Sequence, residues 1–129
     1  MIQDRATSEE NFSRFIERVR EKREIYGLQS PGGGWAVCPS NEKEDASVMV
    51  FWSDRAYAAR HQKDDWKTYT PSAIPLDEFI DAWLKGMHED GFLVGPNWDA
   101  NLFGLEVEAI EVARRLTAGS NSPTSRSTQ

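Results

Sequence analysis

Between Phe51 and Trp98 the chain alternates strand-like apolar runs with helical periodicity, and four of its five tryptophans fall in that stretch. A pattern that switches between period 2 and period 3.6 over so short a distance excludes an all-helical or an all-strand fold, because each period buries a different set of side chains. The clearest element is a helix over residues 76–89. There Leu76, Phe79, Ile80, Trp83, Leu84 and Met87 recur at helical spacing, while Asp77, Glu78, Asp81 and Lys85 point away. Gly91 supplies its C-cap, and Gly86 is expected to permit a close contact. Ahead of it, Val48-Met49-Val50-Phe51-Trp52 reads as a central strand buried on both faces. Ser53 then caps a helix from Asp54 to Trp66.

The flanking segments extend the same mixture. Thr7 and Glu10 fit a capping box, Phe12, Phe15, Ile16 and Val19 line one helical face, and Gly27 is expected to end that helix. Arg18 to Glu24 reads as a solvated face laced with local ion pairs. Trp35 to Cys38 forms a short strand stopped by Pro39, and Tyr69 to Pro75 holds one edge strand at most, since prolines lack a ladder donor. Phe92 to Gly95 and Phe103 to Val107 read as a hairpin. A final helix, 108–116, turns Ile110, Ala113 and Leu116 inward. Residues 119–129 contain no large apolar side chain and are expected to form a disordered tail after a single domain, 1–118. The fold class is therefore α+β, with about four helices around a small mixed sheet of about four or five strands.

Charge narrows the function. Residues 31–118 carry fifteen Asp/Glu against eight Lys/Arg, within a net charge of −6. Such a body repels phosphate backbones, so nucleic-acid binding is not expected, whereas a basic protein would meet it faster. Cys38 is the lone cysteine, which excludes an internal disulfide and a CxxC redox pair. The chain shows neither a secretory leader nor a long apolar run, so the expected location is the cytoplasm, without membrane association.

No catalytic, cofactor or metal constellation assembles from the sequence. The three glycines at 32–34 precede a strand and lack the lysine of a phosphate loop. His61 and His88 are too few for a three-histidine zinc site, and His88-Glu89-Asp90 fan apart on a helix. Cys38 in an apolar strand reads as inert rather than as partner to a histidine, and Ser53 lacks the glycines of a nucleophile elbow. Asp77, Glu78 and Asp81 form an acidic outer helix face. Trp35, Trp52 and Trp83 read as core, while Trp66 and Trp98 sit at element ends where one edge can stay wet and anchor a partner.

Taken together, Trp35-Ala36-Val37, Phe51-Trp52-Ser53-Asp54 with Ala58-Ala59 and Trp66, Ile74 to Ile80 with Trp83-Leu84, His88-Glu89-Asp90-Gly91, and Asn97-Trp98 with Leu105-Glu106-Val107 resemble the bacterial domain-of-unknown-function family 2750 over about residues 10–118. The order of elements is more loosely similar to the SseB-like domain. The first resemblance implies a small bacterial cytoplasmic domain with no assigned reaction, and the second a non-enzymatic, protein-binding one. The expectation is thus a non-catalytic protein-binding module without a cofactor. In its sharpest form it is an immunity-type inhibitor of a basic, nuclease-like toxin, with Trp98, Asp99, Trp66, Asp77, Glu78 and Asp81 as binding residues. The alternatives are a housekeeping adaptor, or a small-molecule enzyme or sensor with a pocket near His61 or His88.

Overall fold

A computed structural model describes residues 5–118, so the tail expected over 119–129 lies outside the described residues. Among the described residues four helices pack with two small sheets, an α+β arrangement. The four-stranded sheet runs β2 (Val37–Pro39), β3 (Ser47–Phe51), β5 (Leu93–Pro96), β6 (Val107–Glu108). In it β3 and β5 are parallel and the other pairs antiparallel. A separate antiparallel pair joins β1 (Glu24–Gln29) to β4 (Thr70–Pro75). The expected single sheet is therefore split, although paired backbone hydrogen bonds between Tyr26 and Trp52, at 2.8 and 2.9 Å, stitch the two parts together.

β3 is central, as its composition requires. Its alternate residues Val48 and Val50 join one apolar cluster with Trp52, Leu28 and Trp98, while Phe51 joins the cluster lying under the long helices. That second cluster is built from Phe15 and Val19 of α1 (Arg5–Lys22), Phe79 and Leu84 of α3 (residues 76–90), and Val112 and Leu116 of α4 (Ala109–Ala118). Helix α3 is continuous over Leu76–Glu78, Phe79–Leu84 and Lys85–Asp90, with the middle segment widened to a π turn. Gly91 ends it in the left-handed conformation at φ 81°.

Several local expectations are corrected. Thr7 lies inside α1 and does not cap it. The helix ends at Arg23, which takes φ 65°, and Gly27 belongs to β1. There a Cβ would come within 3.0 Å of the Trp35 ring, so the glycine makes room for an aromatic neighbour. Gly86 has no atom within 4 Å of a would-be Cβ and mediates no close contact. The helix expected from Asp54 to Trp66 is only α2 (Arg55–Ala59), followed by a 3-10 turn at Asp64–Trp66. The strand expected at 103–107 shrinks to β6, which still pairs antiparallel with β5. In α4 the buried positions are Ala109, Val112 and Leu116, and Ile110 is exposed.

Ser53 does not cap α2. It is fully buried and paired with Asn97: its amide donates to Asn97 Oδ1 at 2.8 Å, and Asn97 Nδ2 donates to its hydroxyl at 3.1 Å. Nor is the charged end of α1 simply a solvated face. Arg18 reaches across to Asp54 with two hydrogen bonds of 2.8 and 2.6 Å, and Lys22 adds a third at 2.9 Å. These donors hold the Asp54 carboxyl well below the usual carboxylate range, the Arg18 bond contributing most. Asp54→Asn is expected to lower the unfolding free energy by about 1–2 kcal/mol, since it breaks a charge-assisted, partly buried pair. Urea titration of the two proteins at neutral pH checks this.

Candidate functional site

His61 leaves the C-terminal end of α2, where its amide donates to Ala58 O at 3.0 Å, and turns its ring into the sheet. The imidazole stacks on Trp52, with ring centres 4.9 Å apart and 26° between planes, and meets the edge of Trp66 at 6.4 Å. It is 2% exposed, and its Nε2 has no hydrogen-bond partner among the described residues. Burial, with Arg60 and Lys63 nearby, lowers its pKa to about 4, against a smaller opposing pull from Asp99. The ring is therefore neutral at physiological pH.

His61 lines the floor of a cleft of about 480 Å³. The β2 edge forms one wall, the Lys63–Trp66 turn a second and residues 100–102 a third. Two of its residues take the left-handed conformation, Asp64 at φ 52° and Leu102 at φ 61°. Such positions tend to gather where a loop is held for a purpose. Cys38 lines the same cleft, but burial and the neighbouring Glu106 push its thiol up, so it stays protonated and makes a poor nucleophile. Among the described residues no group of three His, Cys, Asp or Glu side chains is placed to hold a metal ion.

A second surface lies where α1, β6 and α4 meet. Glu9, Glu42, Glu106, Glu108 and Glu111 line a groove of about 540 Å³ with Phe12, Leu105 and Val107 at its base. One cation, Arg115, lies in it, with its guanidinium 4.7 Å from the centre of the Phe12 ring. Glu106 anchors the neighbouring turn, accepting from the Ser40 hydroxyl at 2.5 Å and the Asn41 amide at 2.7 Å. Glu108 pairs with Lys43 at 2.8 Å, both about half exposed. The groove runs beside β6, an edge of the sheet. No local sequence signal marks it, because its acids come from α1, the 40s turn, β6 and α4 and converge only on folding.

The residues that sequence patterning singled out are scattered. Trp98 is 2% exposed: its indole fits between Gly95 and Gly104 and donates to Leu105 O at 2.7 Å, so it offers no wet edge. Asp99 turns inward to accept from the amides of Asn101 and Phe103 at 2.8 and 3.1 Å, shaping the loop beside the His61 cleft. Trp66 does remain half-buried at that cleft's mouth. Asp77, Glu78 and Asp81 are exposed on α3, where Asp77 pairs with Arg23 at 3.2 Å and Glu78 accepts from Trp83 Nε1 at 3.3 Å. His88 is exposed beside a small apolar hollow formed with Ile80, Leu84 and Ile110. The expected binding residues thus do not form one surface. Among the described residues, no helix is long and apolar enough to cross a membrane.

Compared with known proteins, residues 12–116 match the family model DUF2750, described as a protein of unknown function. No curated protein and no solved structure matches the chain. The looser similarity to the SseB-like domain is not shown by this match.

Proposed function

Because the chain belongs to the DUF2750 family, which brings no assigned reaction with it, we propose from its own surface that it is a non-catalytic protein-binding module. In its sharpest form it is a cytoplasmic immunity-type inhibitor that blocks a basic, nuclease-like toxin. The observation that supports this reading is the acidic groove. Five glutamates around an apolar base offer charge for steering, surface for burial and a sheet edge for pairing, and a basic protein surface complements all three. Occupying the cationic cleft of a nuclease would exclude its phosphate substrate. A housekeeping adaptor with a neutral partner is the competing reading, and salt separates the two because steering by charge fades as screening rises.

The test is affinity capture from native lysate at low and high salt, with the tagged wild type beside Glu42→Lys/Glu108→Lys and Asp77→Lys/Asp81→Lys variants. A basic partner retained at low salt and lost at high salt is expected. The groove variant should weaken capture about tenfold or more, and the α3 variant should leave it unchanged. Capture that ignores salt and the groove substitutions would overturn the reading. Loss in the α3 variant alone would move the interface to that helix.

A further inference from the structure

We propose that the cleft above His61 is a binding site for a small, flat, uncharged heterocycle that stacks on Trp66 and shares a hydrogen bond with His61 Nε2. Two independent observations meet there: an open cleft of about 480 Å³ and, among its lining residues, a buried polar side chain, 2% exposed, whose Nε2 has no partner among the described residues. Buried polar atoms in folded proteins are almost always hydrogen-bonded, so an orphan lining a cleft marks a place where a partner is to be supplied.

The chemistry of the walls selects the class of ligand. The neutral polar groups of the lining are the buried His61 imidazole, the half-buried Cys38 thiol and the exposed Asn101 amide. Charges of both signs, Lys63 against Asp64 and Asp65, stand on the exposed rim. An anion or a cation would therefore meet a like charge on entering and lose its hydration deeper in. A neutral ring with a donor and an acceptor on its edge suits His61 and Asn101, both of which supply either function. Trp66 is half-buried at the mouth and already stands edge-on to His61, with Tyr69 6.4 Å beyond it. Nε2 is sealed from solvent, so the ligand reaches it only when a neighbouring side chain turns aside, and we assign that movement to Trp66, 6.4 Å from the His61 ring in the same lining. Trp52 backs His61 from below and is fixed by its own bond from Nε1 to Trp98 O at 3.0 Å, so the imidazole is held in place before any ligand arrives.

The experiment follows the His61 ring nitrogens and the Trp66 indole N–H by ¹⁵N spectroscopy of the full chain. Adenine is the probe, and benzylamine and benzoate are charged controls of similar size. Adenine is expected to shift both signals saturably, with the controls weaker. His61→Phe, which keeps the stack on Trp52 but has no nitrogen, should weaken adenine at least about tenfold, the worth of one hydrogen bond. His61→Gln serves as a second variant that retains a polar atom and should bind with intermediate strength. Unmoved His61 nitrogens under saturating adenine would assign Nε2 to a buried water and overturn the proposal, as would equal binding by His61→Phe. The outcome is independent of the acidic-groove reading, since neither variant alters the groove glutamates.

Discussion

Trp98→Ala is expected to remove about 3–5 kcal/mol of stability, the range for emptying a buried tryptophan site. The indole is 2% exposed and spans the two faces presented by Gly95 and Gly104. Truncating it removes a tryptophan from the apolar cluster of Val48, Val50, Trp52 and Leu28 and leaves Leu105 O without its donor. A domain of this size is stable by only about 5–15 kcal/mol, so the variant should lose a large share of its stability. Gly104→Ala provides the converse perturbation. A Cβ there would sit 2.3 Å from Trp98 Cδ1, and relieving that overlap should cost about 1–3 kcal/mol. Urea denaturation followed by far-UV dichroism measures both. A Trp98→Ala protein that keeps wild-type stability but loses its partner would return Trp98 to the binding surface and overturn its assignment as core.

That contrast shows where sequence is informative. Trp98 lies in a Pro-Asn-Trp-Asp turn, and turn residues are usually exposed. What buries it is the absence of side chains at Gly95 and Gly104, one of them six residues downstream, so the signal sits in the glycines and not in the tryptophan. Elements with a strong local period are legible: β3 from its apolar run, α3 from six spaced apolar residues, and the stop at Gly91. The π widening of α3 leaves its apolar face inward, so periodicity does not reveal it. The first half of Glu24–Gln29, up to Gly27, reads as the end of the first helix in the sequence because its charged start continues α1 and its glycine resembles a cap. Pairing with β4 decides that segment, and the partner lies some fifty residues away, with Glu24 opposite Pro75. The candidate sites are still less legible. His61 looks like one polar residue in a helix until α2 stops at Ala59, and the groove glutamates are scattered from residue 9 to residue 111.

Acid should weaken the fold through His61, over a window set by its two protonation constants. In the unfolded chain the imidazole takes a proton near its ordinary value of 6.5, whereas in the folded protein burial, Arg60 and Lys63 hold it to about 4 despite Asp99. Between those limits the unfolded state binds the extra proton, so the stabilising contribution is complete above about pH 6.5 and is lost as pH falls towards 4. At about 1.4 kcal/mol per unit the full loss is about 3 kcal/mol, most of it incurred above about pH 4.5, ahead of the midpoint of ordinary carboxylates. Asp54, whose folded-state carboxyl is held low by Arg18 and Lys22, adds its own loss only below its ordinary value of 3.8. The two groups therefore act in succession, histidine first. His61→Phe keeps a ring against Trp52 and removes the titrating nitrogen, so its urea midpoint should stay nearly level from pH 7 to pH 4.5 while that of the wild type drops. Parallel decline in the two proteins would mean that His61 is not held neutral by the fold, and would locate the acid sensitivity in the carboxylates.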